Sequence, residues 1–350
     1  SDAGRWAEAL AASEDWRQRS QADALAADYA IARARLELGD ATLATAAIES
    51  YVEDARQEPQ RYAQILALAA RARLATGDVE AARDLLEPLV KQDPQWLSRW
   101  IGMSLATPPD ASVTRRWLEH AEEYVQLPRH YLAYGFAWKS AADRFGEPAM
   151  YDRAKKRLEQ VVEASGATDD MRRRAQLLLA FIHDARDQPD RAIRAYRAVL
   201  AGDPDNLQAN NNLAVLLTRT QGDADEALRL ARRALENAPD NPTIRETLAA
   251  AQQHAGRLDA AAATMQRVLE ADPGNPEWQI RLAEIRLAQG RTDRAADLAG
   301  EALSALQRRD TPAASAQVVV MEKLKERARG VQRRAQPETP QRSSGNAKNM

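Results

Sequence analysis

The sequence predicts an all-α solenoid assembled from repeated pairs of antiparallel helices, and three observations point there. One phrase recurs: Asn211-Asn212-Leu213-Ala214, then Thr247-Leu248-Ala249, then Arg281-Leu282-Ala283, so that alanines fall at positions 214, 249 and 283. A nearly fixed period of this length marks one supersecondary unit stacked on itself. Within each period the apolar residues return at helical spacing twice, on either side of a Gly-containing break such as Gln221-Gly222-Asp223, which is the pattern of two helices and a tight turn. Ala, Leu and Arg dominate the 350 residues, and no two-residue alternation of a strand stands out.

Each unit has a physical logic. Leu213, Leu216 and Leu217 form one stripe, and Ala227, Leu228, Ala231, Ala234 and Leu235 the next. Alanine at 214, 227 and 234 lets the two helices approach closely. Pro239 stands just past the second helix, where a residue without an N–H cannot continue it. This order of small residues, aromatics and closing proline resembles the tetratricopeptide repeat family, and Tyr131-x-x-Tyr134-Gly135-x-x-Trp138 is its best single fit. The resemblance implies a right-handed superhelical solenoid of about seven to eight repeats. It also implies that the first helix of each pair lines a concave groove in which short segments of partner proteins lie.

Taken in order, Gly4-Arg5-Trp6-Ala7-Glu8-Ala9 reads like a turn entering a second helix, as Gly256-Arg257-Leu258-Asp259-Ala260-Ala261 does. Residues 1–19 are therefore expected to be a half-repeat or an N-terminal cap helix, with a signal or anchor trimmed from in front as one expectation. An unpaired helix there would leave Trp6, Leu10 and Trp16 without a neighbour and could drive self-association. The solenoid is expected over 20–307, irregular at 95–165, where Pro108-Pro109 should end a helix early. About seven extra residues between Trp138 and Ala154 are expected to bulge as a longer connection at Phe145-Gly146-Glu147-Pro148. Residues 308–330 read as a C-terminal capping helix, with Val318, Val319, Val320, Met321 and Leu324 on its covering face. Residues 331–350 read as a disordered tail.

Composition narrows the chemistry. A formal net charge of −2 without a large block of one sign argues against a phosphate-backbone partner, so nucleic acid is not expected. The absence of cysteine removes disulfides, thiolate catalysis and Cys-ligated zinc. No apolar run reaches the ~18 to 20 residues of a membrane helix. His120, His130, His183 and His254 are scattered without a second ligand at metal spacing, and no phosphate-binding glycine loop or nucleophile elbow occurs. Asp203-Pro204-Asp205-Asn206 begins like a calcium loop but lacks its glycine, and reads instead as the turn and cap of the helix from Leu207. No catalytic residue, metal or cofactor is assigned, and the chain is read as a non-enzyme.

Binding remains. The stripe Gln208, Asn211, Asn212, Val215 and Arg219 is expected to point into the groove. Neighbouring repeats would add Arg174, Phe181 and Asp184 on one side and Glu246, His254, Glu277, Arg281 and Glu284 on the other. Asn212 stands where the family resemblance puts an asparagine that holds a ligand backbone amide, with both a donor and an acceptor to offer. Consecutive asparagines cost ~0.6 kcal/mol each in a helix relative to alanine, so a reason beyond local stability is expected for them. Tyr131, Tyr134 and Trp138 are assigned to packing. Two functions follow: a passive protein-binding scaffold, or a regulatory or targeting domain of a larger, enzymatic polypeptide. The 211–276 module resembles repeats of bacterial exported scaffolds in polysaccharide secretion and envelope assembly, which favours the periplasm or envelope over the cytoplasm.

Overall fold

The computed structural model describes residues 2–106 and 110–307. The capping helix and tail expected beyond 307, and Pro108-Pro109, lie outside the described residues. Among the described residues every regular element is helical: α1 (Asp2–Arg19), α2 (Ala24–Glu37), α3 (Ala41–Gln57), α4 (Ala63–Ala75), α5 (Val79–Gln92), α6 (Trp96–Ala106), α7 (Ala111–Ala121), a short 3-10 turn (Glu122–Tyr124), α8 (Pro128–Phe145), α9 (Pro148–Glu163), α10 (Asp169–Ala185), α11 (Pro189–Gly202), α12 (Leu207–Arg219), α13 (Ala224–Asn237), α14 (Pro242–His254), α15 (Leu258–Ala271), α16 (Pro276–Ala288) and α17 (Thr292–Gln307). The chain divides within α11 into two compact units, Ser1–Ala195 and Tyr196–Met350.

In the first unit α1 packs on α2, and α2/α3, α4/α5, α6/α7 and α8/α9 follow as pairs, with α10 against α9. The helix α1 is thus not unpaired. Arg33 lies 5.5 Å from the Trp6 ring centroid, Leu10 is half-buried, and Trp16 alone of the three expected residues is exposed. One continuous core runs from Ala32 to Ile182. Within it two tryptophans join α6 to α7. The Trp100 and Trp117 rings stack at 4.9 Å, and each indole N–H donates to the other residue's carbonyl, at 3.1 and 2.9 Å. Tyr134 and Trp138 are buried edge to face at 6.0 Å, the packing role read from the sequence.

The expected bulge at Phe145-Gly146-Glu147-Pro148 is not there. Only Gly146 and Glu147 join α8 to α9, and the extra residues lengthen those helices to 18 and 16 residues. Gly146 closes α8 in the left-handed region, at φ 69°, and Pro148 opens α9 with its φ already set for a helix. Turn residues on both sides of the junction therefore favour helix over loop. Within the α8/α9 pair Gly135 answers to space: a Cβ there would stand 2.7 Å from Leu158 Cγ.

In the second unit α12/α13, α14/α15 and α16/α17 pair in turn, and α12 also packs on α14. The corner that begins each pair is built alike. Pro204, Pro239 and Pro273 each precede by two residues an asparagine that caps the next helix. Asn206 accepts from the Ala209 N–H, Asn241 from Thr243 and Ile244, and Asn275 from Glu277 and Trp278. Four residues into each helix a side chain returns to the carbonyl of that proline: Asn210 at 2.8 Å, Gln279 at 3.0 Å, and the Arg245 guanidinium in the middle pair. Asn210 is 1% exposed and also donates to the Asn206 carbonyl. Its reason for being an asparagine is the corner.

Side-chain bonds also carry the period. Arg71 reaches Glu37 and Arg153 reaches Glu119 across 34 residues, both at 2.7 Å, and Arg186 bonds Asp152 at the same separation. Arg99 to Gln64 and Arg281 to Glu246 span 35. Exposed pairs of this kind contribute ~0–1 kcal/mol each, so they record the register of stacking more than they hold it.

Candidate partner-binding groove

The leading helices of the second unit wall a cavity of about 730 Å³. From α12 and the turn after it come Asn211, Val215, Thr218, Arg219 and Gln221; from α14 come Thr243, Glu246, Thr247, Ala250, Gln253 and His254; from α16 comes Arg281. The positions follow helical spacing, 211, 215 and 218 on one helix and 243, 247, 250 and 254 on the other, so each helix offers one stripe. The opposite stripes, with Leu213, Leu217, Leu248 and Ala251, are buried. One repeat pattern thus sets both core and cavity wall.

Six of the residues singled out from the sequence meet here: Asn211, Val215, Arg219, Glu246, His254 and Arg281. Val215 is 44% exposed and forms an apolar patch. Glu246 accepts from Arg281 at 3.3 Å, and Glu284 sits 3.5 Å from the same guanidinium. The His254 Nε2–H donates to the Gly222 carbonyl at 2.8 Å, tying the end of α14 to the turn of the preceding pair. That turn carries Gln221 at φ 54°, while the neighbouring Gly222 has no room for a Cβ, which would lie 2.8 Å from Leu217 Cδ2. Thr218 and Thr247 spend their hydroxyl hydrogens on the Ala214 and Thr243 carbonyls, at 2.9 and 3.2 Å, and keep lone pairs for other donors.

The remaining residues are placed elsewhere. Gln208 is exposed at the start of α12, and Glu277 is exposed in the first turn of α16; neither lines the cavity. Asn212 is half-buried, and its Oδ1 accepts the Asn211 Nδ2–H at 3.0 Å. Arg174 and Phe181 lie on α10 in the first unit, where Arg174 pairs with Asp170 at 2.9 Å and Lys139 lies 5.2 Å from the Phe181 ring. Thr218, Gln221, Thr243, Thr247, Ala250 and Gln253 were not singled out from the sequence. Extending the Asn211 and Glu246 stripes at three- and four-residue steps would have found most of them.

One atom in the wall is unsatisfied. Asn211 Oδ1 is buried and has no hydrogen-bond partner among the described residues, and a buried acceptor left so costs ~1–3 kcal/mol. Among the described residues no cluster of three or more His, Asp or Glu could hold a metal ion, and no helix is long and apolar enough to cross a membrane.

Tetratricopeptide repeat family models match residues 177–242, 218–279 and 255–317. Among curated proteins none matches the sequence. Among solved structures, "MamA MSR-1 C2" is 23% identical with a TM-score of 0.44, over 52% of this chain and 97% of that one. "MamA 41-end from Desulfovibrio magneticus RS-1" is 15% identical with a TM-score of 0.45, over 52% and 98%. The "APC/C hetero-tetramer Cut9-Hcn1" is 14% identical with a TM-score of 0.49, over 90% and 58%. Likenesses this distant carry no argument about what the chain does.

Proposed function

Residues 177–317 being tetratricopeptide repeats, we propose that this chain is a non-enzymatic protein–protein interaction scaffold that holds a segment of a partner protein in the cavity walled by α12, α14 and α16. The observation that carries this reading is the wall itself. It combines an apolar floor at Val215 and Ala250 with neutral amides and hydroxyls and a few charges. Such a lining suits an ordered chain segment, whose backbone needs donors and acceptors and whose side chains need shallow apolar contact. A bacterial envelope or polysaccharide-secretion assembly is the setting implied by the resemblance of the 211–276 module.

Ala250→Trp tests the reading, because a large ring on the floor fills the cavity and leaves the opposite stripe of α14 in the core. Proteins captured from native extract by the parent chain are identified, purified and rebound to both forms. Direct partners whose binding is lost in Ala250→Trp support the reading. Partners that bind both forms equally refute the cavity as the site.

A further inference from the structure

Three exposed large apolar side chains share one place in the repeat. Leu105, Phe136 and Val215 each directly follow the small residue of a leading helix, namely Ser104, Gly135 and Ala214. Phe181, half-buried, follows Ala180 in the same way. Leu105, Phe136 and Phe181 fall within the first unit, on α6, α8 and α10, and α8 packs against both of the other helices. Lys139 of α8 stands 5.2 Å from the Phe181 ring, which puts these faces of α8 and α10 side by side. One turn before Phe136 and Phe181 come Leu132 and Leu177, both half-buried, so leucines and phenylalanines form a band. Leu105 is 41% and Phe136 44% exposed; no other part of the described chain covers the band.

The chemistry of the band selects its occupant. Leucine and phenylalanine offer neither donor nor acceptor, so an extended backbone laid on them would leave its polar groups unpaired. A helix satisfies its own backbone and needs only an apolar face. Packed helices stand ~8–10 Å apart, so three of them span ~16–20 Å, the length of ~11–13 helical residues. The band also has a charged border. Arg129 and Arg174 lie two turns before Phe136 and Phe181 on the same faces, and Arg99 lies in the first turn of α6. Arg174 pairs with Asp170. Arg99 donates to Gln64 at 2.8 Å beside the Trp96 ring, and Arg129 donates to the His130 ring at 3.3 Å; neither is ion-paired among the described residues. That border favours an anionic partner, whereas Lys139 on the other side is matched by Asp143 at 2.6 Å.

We propose that the first unit binds an amphipathic helix of a partner protein, laid across α6, α8 and α10 with its apolar side on Leu105, Phe136 and Phe181 and an acidic border toward Arg99 and Arg129. This is a second surface, built from none of the residues that wall the cavity of α12, α14 and α16.

The test is a displayed library of ~18-residue peptides on a helical frame, selected on the full chain and counter-selected on Phe136→Asp. Enriched peptides are resynthesised and their affinities measured by fluorescence anisotropy. Two results together support the proposal. The peptides carry apolar residues at i, i+3, i+4 and i+7 with Asp or Glu along one border, and Phe136→Asp weakens them about tenfold. Arg129→Glu weakens them about tenfold as well, and exchanging the acidic border for lysine restores binding to Arg129→Glu while weakening it to the parent. Peptides without an acidic border, or indifferent to Arg129→Glu, overturn the proposal, as does a selection that enriches nothing over Phe136→Asp. Peptides lost in Ala250→Trp but kept by Phe136→Asp belong to the cavity of the second unit; they overturn this proposal and leave that reading standing. A parent chain that sediments as a dimer, and that Phe136→Asp returns to monomer, gives the band to a second copy and overturns the proposal too. Thermal melts of Phe136→Asp and Arg129→Glu, unchanged from the parent, exclude misfolding as the cause.

Discussion

Gly135 offers a sharp test of how closely α8 and α9 approach. In an exposed helix interior, glycine to alanine gains about 1 kcal/mol through backbone entropy. Here the new methyl would stand 2.7 Å from Leu158 Cγ and 2.8 Å from its Cδ2, and Leu158 is fully buried. Overpacking of a dense core costs ~1–3 kcal/mol. The costs and the gain leave Gly135→Ala about 1 kcal/mol less stable than the parent. Leu158→Ala removes the obstructing atoms at a cost of ~2–5 kcal/mol. In that background Gly135→Ala loses its clash and keeps its helix gain, so it stabilises by about 1 kcal/mol. The sign reverses, and the coupling in the double-mutant cycle is about 2 kcal/mol. Urea unfolding followed by far-ultraviolet circular dichroism measures all four proteins, with an unchanged denaturant slope required for the comparison. A Gly135→Ala protein more stable than its parent in the Leu158 background would refute the close approach.

Three further outcomes follow from the same geometry. Asn210→Ala should lower stability by about 1 kcal/mol, since the Pro204 carbonyl loses the side-chain donor that ties the corner to α12, whereas Asn211→Ala should leave the melting temperature unchanged or raise it; equal losses at both would contradict the assignment of Asn210 to the corner. Arg281→Gln should change stability by less than about 0.5 kcal/mol, because its guanidinium is exposed and its ion pairs are screened, so any larger change seen in a melt refutes a surface role. Burial, reinforced by Arg129, holds the His130 imidazole below its ordinary range, and burial does the same at His183. The unfolded chain then binds more protons than the fold as pH drops through that range, so stability should fall from about pH 7 to about pH 5, and His130→Gln should remove part of the slope; an identical slope in the variant would rule the histidine out.

Much of the helical order was legible because the repeat writes its punctuation into the sequence. The alanines at 214, 249 and 283 and the Pro-x-Asn corners state where helices approach and where they begin. What misled was a local reading of turn residues. Phe145-Gly146-Glu147-Pro148 looks like a loop, yet a left-handed glycine that ends one helix and a proline that starts the next need only two residues between helices. The expectation that α1 lacks a neighbour failed for another reason: whether Trp6 has one depends on Arg33, and no spacing rule relates residues that far apart. The candidate groove was half legible. Residues distinctive by charge or by type, such as Arg219, His254 and the asparagines, stood out, while Thr218, Thr247 and Ala250 are unremarkable alone and acquire meaning only as members of a stripe. Among the asparagines, sequence could count three and not divide their labour. Position 210 serves the corner, 211 faces the cavity, and 212 accepts the hydrogen bond of its neighbour.

The shared corner has a consequence for length. Because Asn206, Asn241 and Asn275 each open a helix behind the same proline step, excising a stretch from just after one cap to the next would graft like onto like. Such a shortened molecule would meet its new neighbour through parts already shaped for it, whereas a cut of any other size would strand a cap with no helix to begin. A chain made this way can gain or shed rungs by tandem duplication or loss without inventing a joint.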